Sequence, residues 1–263
     1  VTDRARTDRN GRRVFLTAEW RFLAILNYAV DPALLQPMVP PGTTLDSFDG
    51  ASYISLIGFR FLSARVLGVP VPFHSNFEEV NLRFYVRRSD GRENRRGVTF
   101  IREIVPRFAI AAIARSVYHE NYVSLPMSHR IVRRGGTDRE GLGVEYRWRH
   151  AGSDCRISVD TRGLPAAVAA GSLEQFITEH YWGYSKTPDG GSIEYEVEHE
   201  PWRVWSVQSA NFEGDPQELY GPELARILRG RPDSAFLAEG SPVTVYRGHR
   251  IDAGSPAGMA AAQ

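Results

Sequence analysis

The chain has 263 residues, 42% of them hydrophobic and 24% charged, with a net charge of +1. That balance fits a globular protein with a full core in one or two domains. It supplies no global field to draw the chain onto nucleic acid, and no apolar run reaches the ~20 residues of a spanning helix, so neither nucleic acid nor membrane is expected as a partner.

The N-terminal VTDRARTDRNGRR is polar and mixed in charge, with no apolar segment behind a basic start, unlike a secretory signal. Residues 1–13 and 253–263 are expected to be disordered tails, leaving 14–252 as a single domain. TAEWRFLAILNYAV (17–30) is apolar and rich in β-formers, which predicts a strand. In DPALLQPMVP, Asp31 is placed to cap a short helix, Pro32 to occupy its first position, and Pro37 and Pro40 to end it. YISLIGFRFLSARVL (53–67) predicts a long strand broken at Gly58.

FEEVNLRFYVRR (77–88) alternates cleanly. Val80, Leu82, Phe84 and Val86 share one face, and Glu79, Asn81, Arg83 and Tyr85 the other. GVTFIREIV (97–105) is the returning strand of a hairpin, and a helix is expected over 106–118. GVEYRWRHA (143–151) and DCRISVD (154–160) predict further strands. SLEQFITEHYWGY (172–184) begins as a helix, with Ser172 and Gln175 in a capping-box pattern. GSIEYEVEHEPWRVWSVQ (191–208) predicts a long strand interrupted at Pro201, with Glu194, Glu196, Glu198 and Glu200 facing solvent. GPELARILRG (221–230) predicts a short helix and SPVTVYRGHRI (241–251) a last strand. Strands with segregated helices indicate an α+β fold around a large, mostly antiparallel sheet or barrel.

Motifs with known chemistry are missing: there is no GxGxxG, P-loop, GxSxG, HExxH or CxxC. The single cysteine, Cys155, allows no intramolecular disulfide and is expected to be a buried structural thiol. This redox pattern fits a cytoplasmic protein. No cofactor and no metal are expected. All but one of the 32 basic residues are arginine, so Lys186 is the one side chain able to form a Schiff base. It precedes TPDGG and is expected in an exposed turn. His119 and His180 each end a predicted helix beside a tyrosine, where a histidine either caps the helix dipole or acts as an acid or base.

The informative feature is REIVPR. Arg102 and Glu103 close a strand that is apolar on both faces, so strict alternation sends them to opposite sides. With Glu78, Glu79, Asn81 and Arg83 on the preceding strand they form a constellation that admits two readings. It is either a structural ion-pair network or a pocket with an arginine anchor for a carboxylate and a glutamate for proton transfer.

FLTAEWRFLAILNYAVDPALLQPMVPPGTTLD, YISLIGFRFL, VPVPFHSNFEEVNLRFYVRR and GVTFIREIVPR, followed by ITEHYWGYSK and EYEVEHEPWRV, resemble the YqjF-like family of uncharacterised bacterial proteins over roughly residues 15–208. That family is similar, more distantly, to acetoacetate decarboxylase. The resemblance implies a closed, largely antiparallel β-barrel with a few flanking helices, an internal cavity and a homo-oligomer. In acetoacetate decarboxylase an Arg-Glu stretch leads to a proline and the Schiff-base lysine. Here Arg107 stands near that lysine's place, and arginine forms no imine. The expected function is therefore small-molecule binding, with catalysis left open: one reading is an enzyme acting on an organic acid or carbonyl compound by acid–base chemistry without a lysine imine. A non-catalytic ligand-binding or sensing protein and a structural oligomerisation module are the alternatives. A small, anionic ligand is expected. Glu79, Glu103 and His119 are the candidate catalytic residues. Asn81, Arg83, Arg102, Arg107, Tyr122 and Tyr181 are the candidate ligand-binding residues.

Overall fold

The apolar, β-branched and aromatic runs form strands, the central ones buried on both faces and the outer ones on one face or neither. The structure, a computed structural model, describes residues 7–8, 11–70, 75–89, 91, 93–106, 121–135 and 140–251. Its strands in chain order are β1 (Val14–Val30), β2 (Thr44–Leu45), β3 (Ser52–Val66), β4 (Val69–Pro70), β5 (Phe77–Ser89), β6 (Asn94–Val105), β7 (Tyr122–Ser124) and β8 (Met127–Arg134). They continue as β9 (Gly141–His150), β10 (Ser153–Ala167), β11 (Trp182–Lys186), β12 (Ser192–His199), β13 (Arg203–Glu213), β14 (Ser234–Ala238), β15 (Pro242–Tyr246) and β16 (His249–Ile251). Among the described residues three α-helices accompany them: α1 (Pro32–Leu35), α2 (Leu173–Thr178) and α3 (Gln217–Leu228). The architecture is mostly sheet with few helices.

The pairings run in a circuit, β1–β3–β5–β6–β11–β12–β15 and back to β1. A wing, β14–β13–β10–β9–β8, leaves the circuit from the second half of β1. β1 can serve both because it bends. Its first half pairs with β15 and its second with β14, and between them Phe22 takes φ 55°, a left-handed conformation uncommon for a side chain of that bulk. The carbonyl of Phe22 accepts a hydrogen bond from Tyr146 of the wing at 2.8 Å.

Two apolar cores follow from this layout. Val80, Leu82, Phe84 and Val86 on β5 pack with Val144, Tyr146 and Trp148 of the wing. Leu23, Ile57, Phe59, Phe61, Phe77 and Tyr85 form a second core on the other face of the circuit strands. The two faces of β5 thus follow the alternation of its sequence. Gly58 does not break β3, which runs through it. A Cβ there would sit 2.6 Å from Cδ2 of Tyr146, so the glycine allows the wing to close against the circuit.

Local signals hold at several ends. Asp31 accepts from the Ala33 amide at 2.8 Å, and Ser172 from Gln175 at 3.2 Å. Gln175 reaches back to the Gly171 amide rather than to that of Ser172. The helix begun there stops at Thr178, and the chain re-enters the sheet at Trp182. The predicted strand 191–208 is two strands, β12 and β13, which are not neighbours in the sheet. The solvent-facing glutamate row also needs correction. Glu194 is fully buried and gripped by Arg88 at 3.0 Å and Arg95 at 2.6 Å. Alternation had placed it on one face of its strand, but the two arginines at the β5–β6 hairpin end cover that face. Arg12, within the stretch expected to be a tail, pairs with Asp8, Glu196 and Glu198. Cys155 is buried, its Sγ 3.6 Å from the Asp215 carbonyl. The expected helix beyond Pro106 and the segment 253–263 lie outside the described residues. No helix among the described residues is long and apolar enough to cross a membrane.

Candidate functional site

A cavity of about 120 Å³ lies on the inner face of the circuit strands. β5 supplies Glu79, Asn81 and Arg83, spaced by two so that all three enter from one strand. β6 supplies Phe100 and Glu103, and β7, parallel to it, places Tyr122 beside Glu103. The end of α2 brings Thr178 and His180, and β12 brings His199. Aromatic side chains, among them Trp20, Phe59, Phe61 and Trp202, form the remaining wall.

The arrival of Glu103 depends on an irregularity in β6. Leu82 pairs with Arg102 but Arg83 pairs with Phe100, so Ile101 is an extra residue, a β-bulge. Because side chains alternate with period two, one extra residue inverts everything after it. Phe100 and Glu103 therefore share the cavity face. Arg102, expected to anchor an anion, stands opposite Leu82 on the wing-facing side. There its charge acts on Tyr220 of α3, whose hydroxyl burial pushes up and Arg102 draws back. Arg102 is not among the cavity-lining residues.

The role of cationic anchor falls to Arg83. It is 8% exposed, and among the described residues it makes no ion pair. Nη2 donates to the Ile177 carbonyl at 2.9 Å, while Nε has no hydrogen-bond partner. A buried guanidinium without an anion is costly, by several kcal/mol before relaxation (~3–5 when a buried pair is broken). Its neighbours are similarly underused. The Oδ1 of Asn81 and both ring nitrogens of His180 are buried with no hydrogen-bond partner.

Glu79 is the chemically poised carboxyl. It accepts from Asn81 Nδ2 at 3.1 Å and from the Tyr122 hydroxyl at 3.3 Å. Both bonds favour the carboxylate, but burial outweighs them and pushes the group up to about 7. The histidines move the other way. Burial, and then the charges of Arg96 and Arg83, hold His180 well below its ordinary range. His199 is lowered chiefly by burial, and its ring stacks on Trp202 with centroids 4.5 Å apart.

Of the residues singled out from the sequence, Glu79, Asn81, Arg83, Glu103 and Tyr122 meet in this cavity. Tyr181 stands behind the wall, its ring 4.9 Å from that of His199. Arg107 and His119 lie outside the described residues. The one lysine, Lys186, is exposed at the end of β11, with Nζ donating to the Pro37 carbonyl at 2.5 Å, and it does not line the cavity. His199 and the aromatic wall were not anticipated. They come from several strands and a loop, and carry no local sequence signal. Among the described residues no group of three or more His, Cys, Asp or Glu side chains is arranged to hold a metal ion.

A family model described as an uncharacterized conserved protein, DUF2071, matches residues 17–242, which is most of the chain and includes every described cavity element from Thr17 to Pro242. The chain is a member of the DUF2071 family. This DUF2071 chain is 26% identical over 218 residues to the uncharacterized protein YqjF of Bacillus subtilis, covering 80% of this chain and 84% of YqjF. Among solved structures it is similar to acetoacetate decarboxylase from Legionella pneumophila, with a TM-score of 0.63 and 14% identity over 90% of this chain and 87% of the other. An acetoacetate decarboxylase-like enzyme from Sphingomonas wittichii gives a TM-score of 0.60 and 16% identity, over 90% and 93% of the two chains. The enduracididine biosynthesis enzyme MppR, complexed with pyruvate, gives 0.60 and 12%, over 92% and 94%. At these identities the likeness establishes the acetoacetate decarboxylase-like fold of this DUF2071 member, and the chemistry must be argued from its own residues.

Proposed function

We propose that the protein binds a small organic acid or carbonyl compound in the cavity of its barrel and acts on it by acid–base chemistry, without a lysine imine. The observation that carries this reading is Arg83, a buried guanidinium without an ion-pair partner among the described residues, facing a cavity. A ligand carboxylate would supply the missing anion through charge-assisted hydrogen bonds. Glu79, near neutrality, is matched to take a proton from carbon next to a carbonyl and to return it. Asn81 and Tyr122 hold its carboxyl in place, and Glu103 is a second carboxyl on the same face. A non-catalytic sensor would use the same anchor; the poise of Glu79 is what favours turnover. The pyruvate held by MppR agrees in kind with such a ligand.

The test is exchange of α-protons of 2-oxo and 3-oxo acids in deuterated water, followed by NMR alongside calorimetric binding. The native protein is expected to exchange the protons, Glu79→Gln to bind without exchange, and Arg83→Gln to do neither. Undiminished exchange by Glu79→Gln would remove the proton-transfer role, and undiminished binding by Arg83→Gln would remove the anchor. Binding without exchange by the native protein would identify a sensor.

A further inference from the structure

We infer that the ligand of this cavity is a monocarboxylate with an aromatic or branched apolar body; this rests on Arg83 as the anion anchor. The wall around the polar groups is aromatic: Trp20, Phe59, Phe61, Phe77, Phe100 and Trp202 all line it. Their rings are locked to one another. Trp20 stands edge-on to Phe59 and Phe61 at 5.6 and 5.9 Å, and Phe61 stacks on Phe77 at 4.7 Å. Trp202 donates its Nε1 to Ser241 at 3.0 Å and so offers the cavity only its ring. Such a surface is well packed within itself and poorly served by water, and it gains most from another apolar group. The cavity's 120 Å³ holds several waters at the ~10–15 Å³ each requires. A two- or three-carbon acid at Arg83 would displace a fraction of them and leave the rings wet.

The charge of the ligand follows from the same wall. Arg83 is the one cation among the described lining residues, while Glu79 and Glu103 both face the space beside it. A second ligand carboxylate would meet those two groups with no guanidinium to receive it. The anionic head is therefore single. The buried Nε1 of Trp20, which has no hydrogen-bond partner, is a donor within the apolar wall for one oxygen substituent on the body.

Calorimetry on the full chain with four unreactive probes tests this: 3-phenylpropanoate, propanoate, 3-phenylpropan-1-ol and phenylsuccinate. Burial of the ring should make 3-phenylpropanoate bind on the order of thirtyfold tighter than propanoate. Phenylsuccinate, with its second charge, should bind roughly tenfold more weakly than 3-phenylpropanoate. Phe100→Leu, a change at a half-buried wall position, should weaken 3-phenylpropanoate by about fivefold and propanoate by less. Equal binding of propanoate and 3-phenylpropanoate would overturn the apolar-body inference and leave the anchor standing. Equal binding of phenylsuccinate would overturn the single charge. An alcohol binding as tightly as its acid would overturn the anchor while sparing the apolar body, and failure of all four would overturn both.

Discussion

Glu79→Gln should separate the electrostatics of the cavity from its packing. Glu79 is buried at 3% exposure and its carboxyl titrates at about 7 in the folded chain, against 4.5 for the ordinary group. Its folded-state value is raised by desolvation, so the folded chain holds a proton that the unfolded chain has released. Stability therefore falls as pH rises through the window from 4.5 to about 7. At ~1.36 kcal/mol per unit, the full difference amounts to about 3 kcal/mol above that window and vanishes below it. Glutamine has nearly the same shape and never ionises. The assay is urea unfolding followed by tryptophan fluorescence, on both proteins at a series of pH values from 4 to 8.5. The other titrating groups cancel in the difference between the two midpoints. The variant should gain on the native protein by about 3 kcal/mol between the ends of the series, with the change centred between the two titration points. A difference that stays flat with pH, or one that favours the native protein at alkaline pH, would refute the claim that burial dominates the hydrogen bonds from Asn81 and Tyr122.

Other consequences are open to test. His180 is neutral in the fold and packs against Tyr85 and Phe176, so the unfolded chain takes up a proton near 6.5 that the folded chain refuses, and stability falls as pH drops below that point. His180→Phe should flatten this acid limb in the same unfolding series, and an unchanged limb would show that His180 is not its source. Glu194→Gln should cost about 2–3 kcal/mol by chemical denaturation, near the low end for a broken buried pair because Arg88 and Arg95 remain partly exposed to water. Arg102→Gln should leave carboxylate binding intact by calorimetry while Arg83→Gln abolishes it; the reverse pattern would mean that the β6 bulge is misplaced.

The sequence made the strand that builds most of the site legible and left the next one ambiguous, for a physical reason. In β5 the two faces differ in chemistry, Val80, Leu82, Phe84 and Val86 against Glu79, Asn81 and Arg83, so period-two alternation assigns them without help. In β6 both faces are apolar: Phe100 and Ile101 are equally at home in either core. A strand buried on both sides carries no polarity signal to reveal an extra residue, and so Arg102 was expected among the ligand-binding residues alongside Arg83. Glu194 fails for a different reason. Alternation identifies its side of β12 correctly but says nothing about what covers that side, and the covering arginines lie about a hundred positions away in the chain. The family resemblance indicated the fold where these local patterns stopped, while the aromatic wall, drawn from β1, β3, β5, β6 and the loop after β12, exists only once the circuit has formed.

The bulge at Ile101 acts as a parity switch on the cavity's charge. With β6 unchanged in length but regular, alternation from Phe100 would turn Arg102 inward and Glu103 outward, so the bulge decides whether an arginine or a glutamate faces the cavity. Deleting Ile101 would remove the bulge and keep Arg102 opposite Leu82 and Glu103 opposite Asn81; straightening β6 at constant length would instead exchange a carboxyl for a guanidinium in the cavity. A chain descended from this one could therefore change the sign of the ligand it prefers through substitutions that abolish the bulge at constant strand length, a shorter route than replacing buried charges one at a time through unpaired intermediates.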